Sequence, residues 1–197
     1  MESFFEALTQ TVPEESTLPE ELDLEAVAER MEDLWQRSVQ DMAQGRVVEW
    51  AATLVLDAQG RLTLTNEVAG GPEGVTPDWS VAEGQRVLGA FHTHPSAEGI
   101  EDIAFGVEDF TSMLRGRHTL YIVKSGRTLC ALVRTQQTAA DPDIAEMDRL
   151  FFATFGRHYL LGRSLPEAVL AANVALARHL RLALYVGVGS PRLRRLC

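Results

Sequence analysis

Basic charge of one kind is nearly missing from this chain: Lys124 is the only lysine among eighteen basic residues. Cysteine is equally scarce. Cys130 sits in an apolar run and Cys197 at the end, a pair that excludes a disulfide framework and a metal site built on thiolates. No apolar run approaches the length of a membrane span, and the start Met1-Glu2-Ser3-Phe4-Phe5-Glu6 lacks the basic residues of a signal peptide. A cytoplasmic protein that does not engage membranes is expected. The net charge of -10 is also local. Residues 1–43 hold twelve acids against Arg30 and Arg37, so residues 44–197 are neutral. That balance leaves no basic patch for nucleic acid. The last twenty residues carry five arginines and no acid, so head and tail are either two solvated faces or mutually attracting ones.

With 197 residues, 46% of them hydrophobic, the chain suffices for one domain with a sizeable core. Residues 2–16 read as an arm. The run Thr17-Leu18-Pro19-Glu20 fits a capping box, and Leu24, Val27, Met31, Leu34, Trp35 and Val39 recur at helical spacing, predicting a helix over 19–42. A strand over 47–56 and a second over 61–68 form a hairpin around the turn Asp57-Ala58-Gln59-Gly60. Residues 70–78 read as a polar loop, and 80–86 fit a short helix or a strand. A strand over 87–91 delivers His92 and His94, and Pro95 stops it. A helix over 105–114, a hairpin over 120–134, a linker over 136–142 and helices over 144–159 and 164–184 follow, before Gly187, Gly189 and Pro191 release a basic tail. These elements divide the chain into an acidic arm and helix (1–43), a central core (44–135) and a helical extension with a basic tail (136–197). The nearly apolar last helix is expected to be buried, within the domain or as the face of a homodimer.

Two histidines one residue apart at a strand end, His92 and His94, project to one side and can share a cation. A carboxylate from the next element completes three protein ligands and leaves an open position, the arrangement of a catalytic metal. Asp109, fifteen residues after His94 and early in the predicted helix, is the first candidate; Asp102 is the alternative, with Glu98 and Glu101 behind it. Glu49 is out of place among apolar neighbours. It lies either at a strand edge facing water or near a cation. His118, His158 and His179 read as surface or packing residues, and Trp35, Trp50 and Trp79 as core or rim aromatics.

Glu49 in an early strand, His92-Thr93-His94-Pro95 at the end of a later one and Asp109 in the following helix together resemble the signature of the JAMM (MPN+) metalloproteases. The similarity spans about residues 46–134. It implies an α/β (α+β) fold with a mixed-sheet JAMM/MPN-like, cytidine-deaminase-like core flanked by helices. It also implies zinc held by His92, His94 and Asp109, and Glu49 as general base. The family serine falls on Gly106, and the interval from His94 to Asp109 exceeds the family's by four residues. Ser96, Thr111, Ser112 or backbone N–H groups near Gly106 are then the candidate oxyanion donors. The expected activity is hydrolysis of an amide in a protein or peptide substrate, of the kind joining a ubiquitin-like modifier to lysine. A lysine-poor surface would itself escape such conjugation. The alternative is a non-catalytic MPN-like interaction module with a residual metal site, which Gly106 favours.

Overall fold

A computed structural model of the chain describes residues 4–71, 74–96 and 102–197, so Pro72, Glu73, Glu98 and Glu101 lie outside the described residues. Among the described residues it holds five α-helices and one eight-stranded mixed sheet. In chain order these are α1 (Phe4–Gln10), β1 (Glu21–Asp23), α2 (Glu25–Ala43), β2 (Trp50–Leu56), β3 (Leu62–Ala69), β4 (Arg86–Thr93), α3 (Val107–Arg115), β5 (Leu120–Ser125), β6 (Thr128–Arg134), α4 (Ile144–Leu160), α5 (Leu165–Leu180), β7 (Leu182–Val188) and β8 (Arg192–Arg195). The sheet order is β1-β8-β7-β6-β5-β4-β2-β3. Every neighbouring pair is antiparallel except β4 with β5, whose parallel pairing is connected by a crossover containing α3. Gly89 serves that pairing, because a Cβ there would collide with the Leu120 carbonyl.

Both faces of the central strands are buried, which is why those strands read as continuous apolar runs rather than alternating ones. Phe91, Ile122, Ala131 and Tyr185 face a cluster closed by Leu8, Val27, Met31 and Leu34 of α1 and α2. Ala90, Val123, Leu132 and Leu184 face the opposite cluster, closed by Phe110, Met147 and Leu176 of α3, α4 and α5. Each fully buried side chain of this size contributes about 1.5–3 kcal/mol. On the outside, α4 leaves Phe152, Tyr159, Leu160 and Leu161 exposed.

Three sequence expectations fail. The helix over 19–42 begins only at Glu25: the Thr17 hydroxyl bonds the Glu14 carbonyl instead of capping, and Leu22 pairs with Leu193 as part of β1. The helix over 164–184 stops at Leu180, where Arg181 takes the left-handed conformation, and Leu182 to Val188 run on as β7. Helical and strand periodicity cannot be told apart in so apolar a run. The basic tail is not released either. It returns as β8 and pairs with β1, with Arg195 on Glu20 at 2.9 Å and Arg192 on Asp23 at 3.6 Å. The acidic head and basic tail therefore meet. Smaller differences are a short helix in the expected arm, an irregular segment over 80–85, and a first hairpin strand that starts at Trp50 and leaves Glu49 just before it.

Candidate metal centre

β4 ends at Thr93, beside its only parallel neighbour, and α3 starts close by. The carboxyl end of a parallel strand facing a helix N-terminus is where α/β sheets place ligands. His92 lies inside β4 and is 4% exposed. His94 lies one residue beyond the strand, held by its N–H on the Lys124 carbonyl at 2.9 Å and by the Ser125 hydroxyl on its own carbonyl at 3.0 Å. Asp109, in the first turn of α3, accepts the Gly106 N–H at 2.7 Å.

These three side chains converge. The Nε2 atoms of His92 and His94 are 2.8 Å apart. Asp109 Oδ1 is 3.0 Å from His92 Nε2, and Oδ2 is 3.4 Å from His94 Nε2. One ligand atom from each lies within 4.8 Å of the others, so the group can hold a metal ion. The tautomers fit that use. His94 Nδ1 donates to the Ala104 carbonyl at 3.1 Å, which leaves the Nε2 lone pair facing the cluster. His92 Nδ1 is buried without a hydrogen-bond partner among the described residues. Two imidazoles and a carboxylate suit a divalent ion of the zinc kind.

Electrostatics follow from this crowding in a chain without cation. Burial works against a charged His92, but Asp109 and then Glu49 outweigh it and raise its pKa. Burial, with His92 already carrying the proton, pushes His94 down to about 4. Burial alone would raise Asp109, yet the two imidazoles and the Gly106 N–H hold it at about 2. Glu49 is pushed up to about 7 by burial and by the Asp109 carboxylate, with His92 opposing. The half-buried glutamate is thus beside charged groups and not at a wet strand edge.

Glu49 lines a cleft of about 290 Å³ together with His92, Asp109, Glu108, Ser112, Tyr121 and residues 74–77. It also lines a second, more apolar depression of about 330 Å³ with His94, Ser96, Gly106, Phe151 and Val169. A relay of hydroxyls fixes its backbone. The Trp50 N–H donates to Thr93 Oγ1 at 2.9 Å, Thr93 Oγ1 and Ser38 Oγ are 2.7 Å apart, and Ser38 donates to the Val48 carbonyl at 3.0 Å. Trp50 supplies only a donor and Val48 only an acceptor. The shared contact must therefore run from Thr93 to Ser38, and the relay closes on the two residues flanking Glu49. The Glu49 carbonyl accepts the Gly70 N–H at 2.8 Å, and the Trp50 indole donates to Asp41 at 3.1 Å.

Across the site, Asn173 of α5 is fully buried and grips the Phe105 peptide: its Oδ1 accepts the N–H at 3.0 Å and its Nδ2 donates to the carbonyl at 2.8 Å. That fixes the segment from Ala104 to Gly106, which bears the His94 partner and the Asp109 cap. Sequence reasoning passed over Ser38, Thr93, Asn173 and Tyr121. A signal did exist for Asn173, the lone amide in an otherwise apolar helix face.

The other candidates separate from the centre. Asp102 does not reach it: its Oδ1 accepts the Arg127 N–H at 2.9 Å. Thr111 turns its hydroxyl back to the Val107 carbonyl at 3.0 Å. Ser96 and Gly106 line the second depression, whereas Ser112 lines the first. Gly106 has ordinary extended dihedrals, φ -79 and ψ 173, so its backbone does not require glycine. His118 is half-buried, with its ring 4.0 Å from that of Trp79. Set against protein-family models, curated proteins and solved structures, the chain matches none, and the centre stands on its own geometry.

Proposed function

We propose that the chain is a zinc-dependent amide hydrolase, a peptidase or isopeptidase of the JAMM kind acting on a protein or peptide substrate. The observation that carries this reading is the placement of Glu49, a half-buried carboxylate in the same cleft as His92 and Asp109, beside a group that can hold a metal ion. His92, His94 and Asp109 would hold the cation. Bound there, zinc supplies Lewis acidity, polarising a carbonyl and making water acidic enough to ionise near neutral pH. Glu49 takes the proton from the attacking water as the C–O bond forms, and returns it to the amine as the C–N bond breaks. The hydroxyl relay through Thr93 and Ser38 keeps Glu49 in register with the histidine strand, and Asn173 keeps Asp109 and His94 in register with each other.

The test begins with metal analysis of protein equilibrated with zinc and dialysed. One zinc per chain is expected, and none overturns the reading. Glu49→Gln is then expected to keep the zinc while hydrolysis of peptides or of ubiquitin-like conjugates falls about a hundred- to ten-thousandfold. The lack of a hydroxyl at Gly106 favours one other reading, an interaction module with a residual metal site. Zinc binding with no hydrolysis that depends on Glu49 would establish that reading instead.

A further inference from the structure

Amide hydrolysis needs a hydrogen-bond donor for the oxygen that gains negative charge as the carbonyl is attacked, fixed in place before the reaction. The donors around the cleft can be taken in turn. The Gly106 N–H is already given to Asp109. The Thr111 hydroxyl is given to its own helix, and Ser96 belongs to the other depression. Thr76 and Ser112 line the cleft, but both are exposed, so water holds and reorients their hydroxyls.

Tyr121 differs from all of these. It is 5% exposed, it lies on β5 opposite Ala90, and its ring centroid is 5.5 Å from that of His92. Its ring also stacks against that of His118, with centroids 6.4 Å apart. It lines the cleft beside Glu49 and Asp109. Its hydroxyl makes no hydrogen bond among the described residues, yet it is not among the buried atoms left without a partner there, so it keeps some contact with solvent. A nearly buried phenol in the cleft lining whose hydroxyl has no partner among the described residues is a donor kept for something that enters the cleft.

We infer that Tyr121 is a catalytic residue: its hydroxyl donates a hydrogen bond to the oxyanion that forms from the substrate carbonyl. This rests on the hydrolase reading above. The phenol keeps its proton throughout, so no bond to it forms or breaks.

The test compares wild-type protein with Tyr121→Phe, both loaded with zinc, using inorganic phosphate as the tetrahedral oxyanion probe in isothermal titration. Tyr121→Phe is expected to bind one zinc as before and to unfold no earlier than wild type, because the hydroxyl has no partner among the described residues to lose. Its affinity for phosphate is expected to fall about tenfold or more, as for one charge-assisted hydrogen bond. Where a hydrolysed peptide is in hand, kcat should drop about a hundred- to a thousandfold with KM nearly unchanged. Equal phosphate affinity in the two proteins, or no phosphate binding by zinc-loaded wild type, overturns the role of Tyr121 and leaves the metal reading standing. Failure of wild type to take up zinc overturns both. Earlier unfolding of Tyr121→Phe with unchanged phosphate affinity assigns the hydroxyl to the fold instead.

Discussion

The two sides of the β4 end make opposite use of buried polar groups. On the α2 side, Thr93 meets Ser38 and the Trp50 N–H, Trp50 meets Asp41, and every donor in the relay has an acceptor. On the other side, one residue away along the same strand, His92 Nδ1 is unpaired among the described residues, two Nε2 atoms face each other, and Tyr121 and Glu49 line a cleft. Alternation along the strand separates the two regions. A satisfied network rigidifies, whereas an unsatisfied one costs stability and is retained where something is to be bound. The closed side is scaffold, and the open side is where a metal ion could be held.

The sharpest way to break this contrast is to add the cation. Only the open side should respond. Zinc at a thousandfold excess over its dissociation constant is expected to raise stability by about 4 kcal/mol, seen as a higher thermal midpoint. Asp109→Asn should abolish the rise. An unchanged midpoint in the wild type would mean that the open side is merely frustrated.

Next in size is the closed side. Thr93→Val keeps the shape but removes both the acceptor of the half-buried Trp50 N–H and the donor to Ser38, and a cost of about 2 kcal/mol in urea unfolding is expected. Thr93→Ser retains the hydroxyl and should recover most of it. Equal losses for Val and Ser would show that the methyl, not the relay, matters.

A third measurement uses pH on the chain without metal. Folding raises the Glu49 pKa from the ordinary 4.5 of a glutamate to about 7. Its contribution to stability is therefore complete below about pH 4.5 and is lost as pH rises through 7. Glu49→Gln removes that loss and is expected to stabilise the metal-free protein by roughly 2 kcal/mol at pH 8, the two proteins converging near pH 4.5. Asp109 has the opposite sign. Held at about 2, it contributes stability above the ordinary 3.8 of an aspartate that disappears as pH falls toward 2. A Glu49→Gln variant no more stable than wild type at pH 8 would place Glu49 in water.

How much of this was legible in the sequence depends on the kind of residue. His92, His94, Asp109 and Glu49 were readable because imidazole and carboxylate carry their chemistry wherever they stand, and their spacing suits a strand end and a helix start. The hairpins and α3 were readable for the same local reason. The β1–β8 pairing was not, since three residues of strand at each end of the chain gain their meaning only from one another. Nor was the end of α5, where the left-handed turn at Arg181 divides one apolar run into helix and strand. Ser38 and Thr93 were hidden because a hydroxyl matters by its partner, and the Ser38–Thr93 contact spans 55 residues.

The smallest expected effect tests the direction of the relay. Ser38→Ala takes away the last hydroxyl, so the Val48 carbonyl loses its donor and the Thr93 hydroxyl its acceptor. Thr93 still accepts from Trp50, and only one hydroxyl is lost. No backbone N–H is stranded. The cost should therefore be about 1 kcal/mol, below that of Thr93→Val, and the pH-dependent gain from Glu49→Gln should shrink as the segment loosens. Were Ser38→Ala to cost as much as Thr93→Val, the hydrogen bonds could not run from Trp50 toward Val48. Glu49 would then be held by α2 packing alone, and the closed side would lose its claim to set the geometry of the open one.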